Sequence, residues 1–398
     1  MTIKHIVYCW QMGEGLGHIV PLAKLVREMR AQGYQVTCAL KETTHAPRLL
    51  GDIPGVRWLL APRMVERENR IAKTLNLADV LHNNAGFSNA ASLAKLLLAW
   101  QRMFAELKPD RVICDFSPTA KLAAVSMGLD VICIDSGFSC PPLPPDAEAP
   151  LPGFFPEHGA DSAPLVVSEQ RTLQLTNLAL REIGASPLPA FSALFRGAVW
   201  YRNWAEFNHF GPHSHGRHLG QISGDTAGAP PVWPDNARPR VFAYLRPGHP
   251  HGVAVLKAAL DLRFSVLAYL PGYSEAEVAQ LRHHPLFRLS VTPLNLMQLP
   301  DNVEIGIWHS PTGAVPHCLS KGMRMIFLPK HPEQELACAA VHGAGLAAYV
   351  IKKKKIKDWR VVFEQVISWP RVASGGRWMP ANVHDFAVKL LGERGDNG

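Results

Sequence analysis

One pattern constrains this chain more than any other: short apolar runs alternate with helically spaced segments, and the alternation occurs twice. The first series of strand-like runs is 5–10 (HIVYCW), 34–40 (YQVTCAL), 55–60 (GVRWLL), 111–115 (RVICD) and 131–135 (VICID). The second is 241–245, 265–270, 288–291, 303–308, 325–328 and 347–351. Between the two lies 220–239 (GQISGDTAGAPPVWPDNARP), the best linker in the chain by its glycine and proline density. Helical spacing marks 21–32, with Leu22, Leu25, Val26 and Met29 on one stripe. It recurs as two patterns over 75–107 broken near 83–86, then in 117–127, 168–184 and 381–391, while 141–164 is a proline-rich loop. Strands alternating with helices predict an α/β fold, with parallel sheets covered on both faces. Two Rossmann-like halves joined by one linker are the simplest architecture.

The totals agree. At 398 residues the chain exceeds the size at which single cores stop growing, so two domains are expected. Its 47% apolar and 19% charged content is that of a soluble globular protein. No apolar run approaches the roughly 20 residues that span a bilayer, and the opening MTIKHIVYCW is too short for a signal-peptide core. The expectation is a cytoplasmic protein without a processed leader. None of the seven cysteines forms a C-x-x-C pair, and Cys9, Cys38, Cys114 and Cys133 sit inside strand-like runs. That usage fits a reduced compartment and indicates neither disulfides nor zinc. The net charge of +8 is diffuse. Its one dense run, Lys352, Lys353, Lys354 and Lys355 with Lys357, reads as a solvated face. The sharper alternative is weak peripheral association with anionic lipid, at the inner face of the membrane. No recognition motif or basic–aromatic stripe points to nucleic acid.

Ligands of open parallel sheets bind beyond the carboxyl ends of the strands. The first strand ends in Met12-Gly13-Glu14-Gly15-Leu16-Gly17-His18, with a helix expected to begin near Pro21. The glycines lack the dinucleotide spacing, but the loop presents an imidazole, His18, able to accept a proton near neutral pH. His18 could equally be a cap or a core hydrogen-bonder. The run 111–115 delivers Asp115 to the same edge, where it could orient an imidazole or simply cap the next helix. The stretch 303–334 reads as a strand, a turn at His309-Ser310-Pro311-Thr312-Gly313, a helix stopped at Gly322, a second strand, and a loop with Glu333 and Gln334. Either it is an anion cradle built on a helix start, or it is a bare βαβ unit. His209, His213, His215 and His218 are close enough in sequence to suggest a metal, but no carboxylate or cysteine set accompanies them, and a loop is the favoured reading.

Several segments resemble, in order, GT-B-fold glycosyltransferases of the family 1 type, the UDP-glycosyltransferase and macrolide glycosyltransferase-like group, bacterial in character. GEGLGHIVPLAKLVREMRAQGYQVT is similar to their N-terminal loop and helix, and PDRVICDFSPTAKLAAVSMGLDVICI to the strand and helix carrying their aspartate. EFNHFGPHSHGRHLGQIS is similar to the approach to their linker, and PLNLMQLPDNVEIGIWHSPTGAVPHCLSKGMRMIFLPKHPEQELACAAVHGAG to their nucleotide-sugar region. The resemblance implies a GT-B fold, two Rossmann-like domains facing across a cleft. Residues 1–219 would bind acceptor, 220–239 would link, 240–375 would bind donor, and 376–398 would form a helix crossing back to the N-terminal domain.

The implied activity is inverting, metal-independent glycosyl transfer from a nucleotide-diphosphate sugar, UDP- or dTDP-linked, with no other cofactor. The acceptor would be a small molecule, a glycan or a lipid-linked acceptor. His18 would be the general base and Asp115 its orienter. His309, Ser310, Thr312 and Gly313 would sit at the diphosphate, Thr292 and Leu294 at the base, and Glu333 and Gln334 at sugar hydroxyls, with Gly17 completing the donor set. Arg246 would meet the diphosphate or lie idle at the surface. Two departures stand out: Ser310-Pro311 replaces a pair of glycines, and His317 replaces the acidic residue that grips the ribose. An imidazole cannot offer a carboxylate's bidentate acceptor geometry. A non-catalytic binding protein, or an epimerase or hydrolase of a nucleotide sugar, are the alternatives.

Overall fold

The computed structural model describes residues 4–13, 16–64, 71, 73–146, 148–155, 161–222, 228–235, 237–310, 313, 315–351, 356–371 and 381–392. The chain divides into two compact units. Unit 1 holds residues 1–203, 212–219 and 381–398, and unit 2 holds 204–211 and 220–380. The chain therefore passes between units four times, where a single boundary after 219 would have it pass once before the C-terminal return. The detour at 204–211 has a packing reason: Phe207, on a short 3-10 turn, is buried in a hydrophobic cluster of unit 2.

Unit 1 carries a seven-stranded parallel sheet: β1 (His5–Trp10), β2 (Gln35–Leu40), β3 (Arg57–Leu60), β4 (Arg111–Asp115), β5 (Val131–Asp135), β6 (Ala198–Tyr201) and β7 (Arg217–His218). Their order across the sheet is β3-β2-β1-β4-β5-β6-β7. β1, β4 and β5 are buried at every position, as expected of strands covered on both faces. The covering helices are α1 (Leu16–Ala31), α2 (Ala46–Leu50), α3 (Leu77–Asn84), α4 (Ala90–Leu107), α5 (Pro118–Ser126) and α6 (Ala163–Glu182). Asn76 and Asn89 cap α3 and α4 by accepting from the N–H groups of Ala78 and Ser92. The C-terminal helix, Val383–Gly392, also belongs to this unit. Buried Arg111 donates to its terminal carbonyls, Leu390 and Leu391, which have no partner inside the helix.

Two features depart from the pattern read in the sequence. β6 and β7 are short strands at the far side of the sheet, with too few residues to show a period. And α1 begins at Leu16, five residues before Pro21, so the proline lies inside the helix. Pro21 has no N–H for its helical partner, the carbonyl of Gly17.

Unit 2 repeats the plan. β8 (Arg240–Tyr244), β9 (Ser265–Tyr269), β10 (Phe287–Ser290), β11 (Val303–Trp308), β12 (Arg324–Phe327) and β13 (Ala348–Val350) are parallel, in the order β10-β9-β8-β11-β12-β13. The helices are α7 (Gly252–Asp261), α8 (Glu275–Arg282), α9 (Val315–Ser320), α10 (Pro332–Gly343) and α11 (Trp359–Ser368). A capping box between Ser274 and Glu277 starts α8. Successive residues of one strand face opposite sides: Val241 and Ala243 enter one core cluster, Phe242 the other. Truncating such a residue, for example Ile307→Ala, costs about 2–5 kcal/mol because its neighbours cannot collapse into the hole.

In both units the order reverses at the pair formed by the first and fourth strands, β1/β4 and β8/β11. Connections leave those two strands in opposite directions, which opens a crevice at their carboxyl ends. Both candidate sites lie at these points.

Candidate active site

In unit 1, Trp10 and Asp115 are partners in the β1/β4 register, so both strands end level. α1 then starts so close behind β1 that His18 falls in its first turn. His18 Nδ1 lies 2.8 Å from Asp115 Oδ1. The second carboxylate oxygen accepts from the Tyr8 hydroxyl at 3.0 Å. Asp115 is fully buried and does not cap α5, whose N-cap position is Ser117. Its carboxylate oxygens are taken up by His18 and Tyr8 instead. Trp10 stacks on the imidazole, with centroids 5.7 Å apart and planes 15° apart. On the other edge of the ring, a Cβ built on Gly13 would stand 2.2 Å from Nε2, and Gly13 has φ +88°. Glycine is required there twice, for its backbone and for the ring.

A residue that sequence reasoning missed completes the cluster. Arg202, following β6, is buried. Its Nη1 donates to the Gly17 carbonyl at 2.9 Å, the acceptor that Pro21 leaves without a helical partner. Its Nη2 lies 3.5 Å from Asp115 Oδ1 and 3.1 Å from His18 Nδ1. Those two contacts compete for one tautomer. Were Nδ1 bare to accept from Arg202, its lone pair would face an ionised carboxylate at 2.8 Å. Nδ1 therefore carries the proton and donates to Asp115, and Nε2 holds the lone pair. Burial pushes the Asp115 carboxyl up, but the Arg202 charge, His18, and the bonds from His18 and Tyr8 outweigh it and hold the group below the usual carboxylate range. Phe116, the next residue, sits at φ 44°, a left-handed conformation costly for a side chain with a Cβ. Its carbonyl accepts from the Met12 N–H at 3.0 Å, tying the ends of the two strands together.

In unit 2, His309 directly follows β11. Its Nδ1 donates to the Leu328 carbonyl at 2.7 Å, and Nε2 lies 2.8 Å from both the N–H and the carbonyl of Arg246. Burial is the main reason its pKa lies below the ordinary value, against the bonds to the Leu328 and Arg246 backbone, which pull the other way. The imidazole staples the segments that follow β8 and β12 to the end of β11. Lys330 reinforces the same wall: Nζ donates to the Pro247 carbonyl at 3.0 Å, and its N–H donates to Gln334 Oε1 at 2.9 Å. Gln334 and half-buried Glu333 occupy the first turn of α10. Arg246 is exposed, and its guanidinium makes no hydrogen bond or ion pair among the described residues. Gly313 takes φ +86°, and His317 is buried on α9.

The remaining expected residues scatter. Thr292 is exposed, and its carbonyl accepts from Ser290 Oγ. Leu294, expected to border a base, is buried in a core cluster with Phe207 and Trp233. The side chain is spent on packing, because its segment forms a bridge with Ala229 that draws it inward. Gly17 is exposed in the first turn of α1, where its carbonyl serves Arg202. Pro311, Thr312 and the run Lys352, Lys353, Lys354 and Lys355 lie outside the described residues. Among the described residues, no group of three or more His, Cys, Asp or Glu could hold a metal ion. His218 instead bonds Asn203 at 2.7 Å and stacks on Tyr201. No described helix is long and apolar enough to cross a membrane.

Two parallel α/β units of matching strand order, each with a crevice between its first and fourth strands, give this chain the GT-B fold of glycosyltransferases. No protein-family model and no curated protein sequence matches it. Solved structures do. The calicheamicin glycosyltransferase CalG4 is similar at TM-score 0.71 and 14% identity, over 99% of each chain. The glycosyltransferase VinC, in complex with dTDP, is similar at TM-score 0.66 and 14% identity, over 98% of this chain and all of that one. The Streptomyces sp. SF2575 glycosyltransferase SsfS6, complexed with thymidine diphosphate, is similar at TM-score 0.62 and 15% identity, with the same coverage. At these identities the likeness establishes the fold.

Proposed function

We propose that this protein is an inverting glycosyltransferase that moves a sugar from a nucleotide-diphosphate donor to a hydroxyl of a small-molecule acceptor. The observation that carries the reading is the 2.8 Å bond between His18 Nδ1 and buried Asp115. It leaves Nε2 as a proton acceptor at the carboxyl end of β1, where ligands of such sheets bind. In the proposed step Nε2 takes the acceptor's hydroxyl proton as the oxygen attacks the anomeric carbon. The nucleotide diphosphate leaves from the opposite face, and Asp115 stabilises the imidazolium. The wall held by His309 and Lys330 in unit 2 is the proposed donor site, with Arg246 available to the diphosphate. dTDP is the first nucleotide to test, since two of the similar structures hold it; UDP is the second. Contact of Lys352–Lys355 with anionic lipid stays a proposal from sequence, to be tested by vesicle sedimentation of the run replaced by alanine.

The test is a thermal-shift panel of UDP, dTDP, GDP and their sugars, followed by mass analysis of each stabilising donor with a library of hydroxylated small molecules. A nucleotide at 100 times its dissociation constant stabilises by about 2.7 kcal/mol, a shift of several degrees. No shift with any nucleotide at millimolar concentration would favour a different role for the fold. Donor turned over equally without acceptor would indicate a hydrolase or epimerase.

A further inference from the structure

Four cysteines of unit 1 meet in one place. The strand registers pair Cys9 with Cys114 and Cys114 with Cys133, so β1, β4 and β5 present three thiols in a row. The fourth, Cys140, lies in the loop that follows β5. Its N–H donates to Asp135 Oδ2 at 2.8 Å, and its carbonyl accepts from the Tyr201 hydroxyl. Lys121, from α5, is buried beside them, with Nζ donating to the Arg196 carbonyl at 2.7 Å.

Two cavities meet at this cluster. One of about 30 Å³ is bounded by Cys114, Phe116, Ser139 and Cys140, the other of about 300 Å³ by Leu122, Val125, Val131 and Leu188. Cys133 and Lys121 line both. A water takes up about 30 Å³ of the liquid, so the larger cavity, which Cys133 helps to line, has room for a molecule the size of a peroxide.

Of the cysteines, Cys133 alone lines both cavities. The neighbouring Cys140 thiol first, and the Lys121 ammonium after it, outweigh burial and bring Cys133 down to about 6. Burial pushes up Cys9, Cys38, Cys114, Cys318 and Cys338. Cys140 is pushed up by its bond to Cys133 and by burial. One thiol lowered with its neighbour raised fits an attacking and a resolving cysteine.

We propose that Cys133 and Cys140 form a redox-active dithiol, with Cys133 as the attacking sulfur, Cys140 as the resolving one and a hydroperoxide as oxidant. The Cys133 sulfur attacks one peroxide oxygen. An S–O bond forms, the O–O bond breaks, and the leaving oxygen departs as water with the thiol's proton. The Cys140 sulfur then attacks the sulfenic sulfur, expelling a second water and closing the disulfide. The two thiols lose two electrons and hydrogen peroxide gains them. Cys140 is the resolving partner because it sits in a loop outside regular structure, whereas Cys114 is fixed in the sheet. The inference is independent of glycosyl transfer and stands on thiol chemistry alone.

The test is exposure of the reduced full chain to hydrogen peroxide, capping of free thiols with N-ethylmaleimide, and tryptic mass mapping. Residues 122–171 contain no lysine or arginine before Arg171 and carry Cys133 and Cys140 as their only cysteines. The expected product is that single peptide, lighter by two hydrogens, unlabelled, and restored by dithiothreitol. It should form at least about tenfold faster than oxidation of Cys38 or Cys114, following thiolate character. Cys140→Ser should stop at a Cys133 sulfenic acid that dimedone traps, and Cys114→Ser should leave the internal disulfide intact. A link between 122–171 and the peptide 112–121, which carries Cys114, would overturn the assignment. So would equal oxidation of all seven thiols, or dimedone labelling of Cys140→Ser anywhere but Cys133.

Discussion

Arg202→Met removes the residue that ties the helix start to the carboxylate while keeping an unbranched apolar stem in the same space. Two consequences follow from the distances. The Gly17 carbonyl loses its 2.9 Å donor, with Pro21 unable to replace it, and Asp115 loses the nearest full positive charge. Breaking a buried pair from one side costs about 3–5 kcal/mol. Asp115 keeps its bonds from His18 and Tyr8, and exposed Gly17 can turn to water, so the loss should be about 2–3 kcal/mol. For a unit of this size that lowers the melting temperature by roughly 4–12 °C. The effect on turnover is positional. With the first turn of α1 released, His18 can drift, and misplacement by about 1 Å costs up to 10²-fold. Steady-state kinetics, on the acceptor found in the screen, should show kcat down about 10- to 100-fold with donor KM unchanged. Arg202→Lys, which can reach Asp115 or Gly17 but not fork to both, should fall between. Combined with Asp115→Asn, Arg202→Met should add little, because both act through one imidazole. A variant that melts lower yet turns over within about threefold of the parent would refute the positioning role.

Gly13→Ala must strain the left-handed backbone by about 1–2 kcal/mol and push its methyl into His18 Nε2; kcat should fall about 10²-fold, and nucleotide-induced stabilisation should persist. Glu169 offers a pH test. Burial raises it from 4.5 to about 7 while it accepts from Leu151 N–H and Asn76 Nδ2. The folded chain therefore holds that proton more tightly than the unfolded one, and stability is lost as pH rises through that window. Glu169→Gln keeps the acceptor oxygen and should melt with the parent at about pH 4, yet be about 2–3 kcal/mol more stable at pH 8; equal melting at pH 8 would contradict the shift.

The strands at the sheet centres were legible because burial on both faces makes them continuous apolar runs, as in RVICD and VICID. That His18 and Asp115 would meet was legible because ligands of parallel sheets bind at strand ends, and both residues end or follow such a run. Arg202 was not. It stands 184 residues from His18 and 87 from Asp115, and no local pattern marks a buried arginine after a short strand. Pro21 misled for a related reason. Proline favours the first turn, so the helix was expected to start there; a distant guanidinium supplies the bond the proline cannot, and lets the helix start five residues earlier. The stretch around Leu294 was expected to border a base; that the Leu294 side chain packs in the core was not legible, because the bridge to Ala229 is a tertiary pairing that its own segment does not encode.

The central claim is that His18 Nε2 takes the acceptor's proton. Its most direct test is single-turnover transfer by His18→Ala, beside the thermal shift given by the best nucleotide. The expected result is a rate lower by about 10²–10⁴, the range for a lost general base, with the nucleotide shift unchanged. Transfer at nearly the parent rate, on the same acceptor, would contradict it.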